Sequence, residues 1–560
     1  MKKTLILTIL LVSVSALCFS QTWTVSNMAG WIEAVGGIRG GGNNKEYKIT
    51  VTGNINVPSS SESTFGSVTG ITVTIEGSGT LSPSTNGSLL VIGKDQTVIA
   101  KDLTLKGRDA NNNVAVRINE KGTFHMEGKA SVTGNKTSGR GAGGVYIYGG
   151  TFTMKDNASV SGNTIEKGTG GVYAGDRSIF TMQDNASVSG NTGNDSGDGG
   201  GITVYHGTFT MKDDASIMGN KNTGGNGGGV QVLDGTFIMS GGTISGNTAS
   251  GSGGGVSVDI YYNNKSGTFT MQSGTISGNT AREKGGGVYI GKNITFTMQD
   301  SALISGNAAN NGGGVYISNK GGADSYNGNF TMNDGTISGN TATSNGGGVL
   351  VEGTFTMNNG TISGNIGAIG GGVYFNYGDF TMQGGTIWGN TASLGGGGVY
   401  FSAIFAKTAK TGGTIYGDDA EQKLKNTAIS GMGHAVANND RWRNAGAGQT
   451  MNLDSYGFWL SEGDLVMFSS DFAGIWKRNN FNNTLTVAGN AMKTSSSNYV
   501  WVLQRVSGNA YTLKRADTAN TMTLTIRFTE GSGRYDPDTL VISGDSGSGE
   551  NNWNGTWRKQ

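Results

Sequence analysis

GTFTMQSGTISGNTAREKGGGVYI, residues Gly267 to Ile290, holds the pattern that decides the fold. Side chains alternate across a strand, so Phe269 and Met271 share one face and Thr270 takes the other. Ile276 is the apolar member of the next short run, and Asn279 closes it. After a polar stretch and three glycines, Val288 and Ile290 face one way and Tyr289 the other. The 3.6-residue stripe of an amphipathic helix is absent.

The block recurs. Phe stands at 124, 152, 180, 209, 237, 269, 296, 330, 355 and 380. Asn follows ten or eleven residues later, at 135, 163, 191, 220, 247, 279, 307, 340, 365 and 390, and a glycine run ending in Val or Ile follows each Asn. Self-similarity at this period marks a stacked repeat architecture, and three strands per unit are too few for a four-stranded propeller blade. The expected fold is all-β: a right-handed parallel β-helix with three strands per coil, followed by a small antiparallel barrel or meander. Stacking then places Phe152, Phe180, Phe209 and Phe269 in one interior column. Asn163, Asn191, Asn247 and Asn279 fall in another, passing amide hydrogen bonds from coil to coil.

Working outward, residues 120–403 are the regular ten-repeat section and 46–119 less regular opening coils. Residues 21–45 are a capping segment. Within it, Met28, Trp31, Ile32 and Val35 fall at helical spacing, with Asn27 placed to cap and Gly36-Gly37 to terminate. Residues 404–463 read as a last coil and closing segment. The remainder, 464–560, carries Trp476, Trp501, Trp553 and Trp557 among short strands. Gly474-Ile475-Trp476-Lys477-Arg478 echoes Gly555-Thr556-Trp557-Arg558-Lys559, as first and last strands closing a barrel would.

Residues 1–20 read as a secretory signal: Lys2 and Lys3, an apolar run from Leu5 to Val14, and a small-residue exit ending at Ser20. The only cysteine, Cys18, lies inside it, so the mature chain has no disulfide. Cys18 is a lipidation candidate, although Leu17 before it is bulky for a lipoprotein peptidase. No later segment reaches eighteen consecutive apolar residues, which leaves no transmembrane helix. The expected location is extracellular or at the outer membrane or cell surface of a bacterium. Net charge is +1 and only 14% of residues are charged, so the basic footprint of a nucleic-acid binder is missing.

The pairing of Ile276-Ser277-Gly278-Asn279 with Gly285-Gly286-Gly287-Val288 resembles the repeats of the chlamydial polymorphic outer-membrane proteins. The overall layout is similar to β-helix surface proteins of spirochaetes. The resemblance covers about residues 120–401 and implies a surface-presented, adhesin-like β-helix. The large C-terminal translocator barrel of the chlamydial proteins is not expected here; the C-terminal module is weakly similar to lipocalins.

Two functions from different classes follow. One is a non-catalytic surface protein presenting loops to a glycan or to a protein of a host or neighbouring cell. The outward Tyr146, Tyr173, Tyr289, Tyr316, Tyr374 and Tyr400 are its binding candidates, although Tyr also suits a half-exposed strand. The other is a polysaccharide lyase or hydrolase with a carboxylate groove. Asp156, Asp184 and Asp213, at one turn position on consecutive coils, are then calcium candidates. Equivalent positions hold Gly128, Ser273 and Asn359, which favours a plain turn. No cofactor motif is present. His125, His206 and His434 are not spaced to share a metal, and no residue is assigned a catalytic role.

Overall fold

The computed structural model describes residues 19–402 except 262–264, 320–326 and 377–378. Beyond these it describes parts of 408–438 and the strands from Met451 to Lys559. Residues 1–18, which include Cys18 and most of the expected signal, and His434 lie outside the described residues.

Three parallel sheets wrap around one core. The first has 28 strands, the second 11 and the third 13. At about 4.8 Å per strand, the third sheet extends about 58 Å along the axis. In the coil of Phe269, the strand Gly267–Ser277 carries both the Phe and the Ile segments and lies in the first sheet. Most other coils split this strand in two, as at Asn329–Met332 and Thr336–Ser338. Thr280–Ala281 lies in the second sheet and Val288–Ile290 in the third.

The three-sided β-helix is therefore as expected, with one addition. The polar stretch after each Asn contains a short strand, Thr248–Ala249, Thr280–Ala281 and Thr341–Ala342 among them. The inward methyls of Ala249, Ala281 and Ala342 are buried. Two residues are too few for a visible alternation.

Register is kept coil by coil. Phe152 pairs with Phe180, Phe180 with Phe209 and Phe237 with Phe269. The rings stack with centroids 4.6–5.5 Å apart from Phe124 to Phe380. These phenylalanines, the methionines two residues on and the Ile and Val columns are buried in one core that runs from Val25 to Ile415.

The glycine runs are where successive backbones come closest. A Cβ on Gly286 would stand 2.5 Å from the carbonyl oxygens of both Ala308 and Gly313. Gly285, before it, turns the chain with φ +63°, a region that side chains other than glycine rarely adopt.

The helix runs from Met28 to Gly40, with the Asn27 side chain accepting from the Gly30 amide at 3.0 Å. Gly36 and Gly37 do not end it. Gly37 is a packing glycine, because a Cβ there would lie 2.5 Å from Trp23 Cζ2. The buried face is Trp31, Ala34, Val35 and Ile38, whereas Met28 and Ile32 are exposed. Ahead of the helix, Gln21–Val25 is already a strand of the first coil, paired in parallel with Tyr47–Val51.

Coil pairing continues past Phe401. Thr427–Ala428 stacks on Thr391–Ala392, and Val436–Asn438 on Val399–Phe401. Phe458–Ser461 and Asp464–Met467 form a hairpin. Eight antiparallel strands from Gly474–Arg478 to Gly555–Lys559 then close a barrel. Its first and last strands pair, with Lys477 opposite Arg558 and Arg478 opposite Trp557.

Candidate functional site

The Asn column is a ladder, and it is structural. Asn163, Asn191, Asn220, Asn247 and Asn279 are fully or almost fully buried. Each Nδ2 donates to the Oδ1 of the Asn one coil on, at 2.9–3.0 Å, and to a main-chain carbonyl of the coil before. The Oδ1 also accepts the backbone N–H of the preceding Asn. Both amide hydrogens and the oxygen are thus used, as a buried amide requires.

The Asp column also bonds to the backbone, through one oxygen of each carboxylate. Asp156, Asp184 and Asp213 sit at φ +55°, +53° and +55°, a left-handed turn position that Asp and Asn tolerate best after glycine. Each carboxylate accepts an N–H from the coil before: Gly128 to Asp156 at 2.9 Å, Asp156 to Asp184 at 3.1 Å, and Asp184 to Asp213 at 3.2 Å. Among the described residues no group of three or more acidic, His or Cys side chains is arranged to hold a metal.

The tyrosines differ from expectation. They do lie on the outward side of the third sheet, but that side is not free. Tyr316 and Tyr374 are only 2% and 8% exposed, and with Leu350 they form a second small core against which Tyr289, Ile369 and Tyr400 pack. Thr203, Gln231 and Ser257 at the same position are buried too. The cause is the chain before each glycine run, which folds back over the sheet. A Cβ on Gly312 would lie 2.9 Å from Tyr316 Cβ, and the Lys284 ammonium stands 4.6 Å from the Tyr316 ring centre. Burial pushes the Tyr289 hydroxyl up to about 12 and raises those of Tyr173 and Tyr316 further. Tyr146 stacks on Tyr173 at 5.1 Å, Tyr289 on Tyr316 at 5.7 Å and Tyr374 on Tyr400 at 5.5 Å.

The feature with the make-up of a binding site is a cleft of about 670 Å³ across the loops that follow Asn135, Asn163 and Asn191. Arg140 comes from the strand Lys136–Ala142, Lys167 from the strand Thr164–Thr169, and Asn194, Asp195 and Asp198 from the loop after Asn191. Buried Asn222, on the fourth coil, holds the third loop in place. Its Nδ2 donates to the carbonyls of Asp195 at 3.1 Å and Asp198 at 2.5 Å. Arg140 and Lys167 are register partners on adjacent strands. Burial, with Asp195 beside it, pushes the Asp198 carboxyl up to about 7, although the hydroxyls of Thr169 and Thr203 hydrogen-bond to it. Tyr146 and Tyr173 belong to this neighbourhood. Gly141, in the cleft lining, passes so close to Tyr146 that a Cβ would meet its Cδ2 at 2.8 Å.

Comparison with known proteins returns no match, whether to family models, to curated proteins or to solved structures.

A second polar cluster was also invisible to motif reading. His206 lies between Asp176 one coil before and Asp234 one coil after, Nδ1 2.9 Å from one carboxylate and Nε2 3.1 Å from the other. The separations, 30 and 28 residues, are one repeat each way. That spacing is the signal that could have found the trio. The imidazole separates the two carboxylates, so the three do not converge on a common point. The trio is read as a polar strut.

Proposed function

We propose that this chain is an exported surface protein, a β-helix scaffold that binds a glycan or a protein of a host or neighbouring cell and performs no catalysis. One observation carries the reading. Successive coils keep Phe on Phe and Met on Met in register, while charged residues of both signs gather around the cleft in the stretches that follow three consecutive repeat asparagines. A repeated core that holds variable loops at fixed spacing is how repeat scaffolds present binding surfaces. The likeness to chlamydial and spirochaete surface repeats agrees with this, as does a first strand that begins at Gln21, where the signal is expected to end.

The enzyme reading, a polysaccharide lyase or hydrolase, has one observation of its own. Asp198, half-buried next to Asp195 and held protonated up to about neutral pH, is what a general acid needs. It lies in a cleft, unlike the column of Asp156, Asp184 and Asp213. Glycan and host-protein arrays, run beside a screen for polysaccharide cleavage, separate the two. Binding without turnover supports the scaffold; turnover that depends on Asp198 supports the enzyme.

A further inference from the structure

The cleft is unusual in its charge bookkeeping. The protein has few charges, and where two like charges fall directly opposite on neighbouring strands they repel. Arg140 and Lys167 do this, standing in register one coil apart. Both are exposed, and among the described residues neither has a carboxylate within 4.0 Å. Glu166, adjacent in sequence to Lys167 and also in the cleft lining, makes no ion pair among the described residues either.

Two of the three carboxylates that line the cleft, Asp195 and Asp198, are engaged by the protein itself. Asp195 Oδ1 accepts the Gly197 amide at 3.0 Å, and the Thr169 and Thr203 hydroxyls hydrogen-bond to Asp198. The Thr169 and Thr203 hydroxyls are themselves 2.6 Å apart, and Thr203 Oγ1 accepts the Gly199 amide at 2.7 Å. So Asp195 and Asp198 are engaged within the loop, and the positive pair faces outward with Glu166 as the one carboxylate of the lining left beside it. Two cations in register against one such carboxylate leave room for an anion. The neighbouring side-chain amide of Asn194 and the carboxyl groups of Asp195 and Asp198 suit hydroxyls, which both donate and accept.

We propose that the cleft binds an acidic glycan, with the carboxylate of a uronate-type sugar on Arg140 and Lys167 and its ring hydroxyls on Asn194 and Asp195. The inference rests on the binding reading above and narrows it to one ligand class. Arg140 is suited to the fork geometry of a carboxylate and Lys167 acts as the point charge beside it. Asp198, protonated below about pH 7, adds no opposing charge to the site.

The test is calorimetric titration of the full mature chain with a galacturonate hexasaccharide and, in parallel, with cellohexaose as the neutral probe. The acidic probe is expected to bind and to weaken with added salt, and cellohexaose to bind far less. Replacing both cations (Arg140→Ala with Lys167→Ala) should weaken the acidic probe by about 10- to 100-fold, the range for losing charge-assisted hydrogen bonds. The thermal midpoint should not move, because both side chains are exposed. Arg140→Lys, which keeps the charge, should retain part of the affinity. Equal binding of the two probes, no binding of the acidic one, or an acidic probe indifferent to the double variant would overturn the proposal. If the arrays then show binding to a neutral glycan or a protein, the scaffold reading stands without it; if they show none, both fall.

Discussion

The Nδ2 of Asn279 donates to the Oδ1 of Asn307 at 3.0 Å, and the same oxygen accepts the backbone N–H of Asn279 at 3.0 Å. One side chain thus ties its own coil and the next through two bonds. Repeated along the axis, this makes the corner between the first and second sheets a continuous polar column inside an apolar protein.

Asn279→Ala removes the acceptor for two donors of Asn247, its N–H and its Nδ2. At about 1–3 kcal/mol for each buried donor left unmade, the cost should be roughly 2–6 kcal/mol. Exposed Asn185 provides the control; its replacement should cost under about 0.5 kcal/mol. Urea denaturation midpoints measure both. Equal costs would mean that the ladder does not hold the coils.

Phe269→Ala should cost about 3–5 kcal/mol, as for a fully buried aromatic. Strand alternation alone would class Tyr289 as a surface residue. Because it packs against the buried cluster of Tyr316, Leu350 and Tyr374, Tyr289→Ala should cost about 1–3 kcal/mol instead. Outward Thr270, on the uncovered side of the first sheet, should be close to neutral. The order Phe269, Tyr289, Thr270 in equilibrium unfolding checks the assignment of faces.

That contrast shows what the sequence could carry. Phe269, Ile276, Asn279 and Val288 were legible because each repeats at one position of every coil, and parallel stacking turns repetition into contact. Tyr289 was misread because alternation tells which side of a sheet a residue takes, not whether anything covers that side. The β-helix needed only the pattern within a coil. The cleft needed loops 27–29 residues apart to be laid side by side. Its one sequence signal was that Arg140, Glu166, Lys167, Asp195 and Asp198 all fall in the stretches that follow three consecutive repeat asparagines, Asn135, Asn163 and Asn191.

Changing Asp156, Asp184 and Asp213 together to Asn should shift the thermal midpoint little. An Asn oxygen can accept the same backbone N–H, and Asn tolerates the same left-handed φ. Added calcium should not raise the midpoint of either protein. A calcium-dependent rise in the parent, lost in the triple variant, would make this column a metal site.

Asp198 gives the stability a pH dependence with a definite sign. Its folded value of about 7 lies above the ordinary 3.8, so the folded state holds the proton more tightly. The stabilisation linked to that proton is present in full below about pH 4 and is lost as pH rises through 7. Asp198→Asn, neutral at every pH, should flatten the fall in thermal midpoint between pH 4 and 8. A parent and variant with parallel profiles would mean that Asp198 is not held in a burying environment.

The most direct test of the central claim sets binding against turnover in the same sample. The mature protein is incubated with polygalacturonate and with neutral polysaccharides, with and without calcium, at pH 5 to 9. Retention on each polymer and release of new chain ends are measured together. The expected result is retention on polygalacturonate, far less on the neutral polysaccharides, and no chain ends above background, in the parent and in Asp198→Asn alike. Release of chain ends by the parent, abolished in Asp198→Asn, would contradict it and make the cleft an active site.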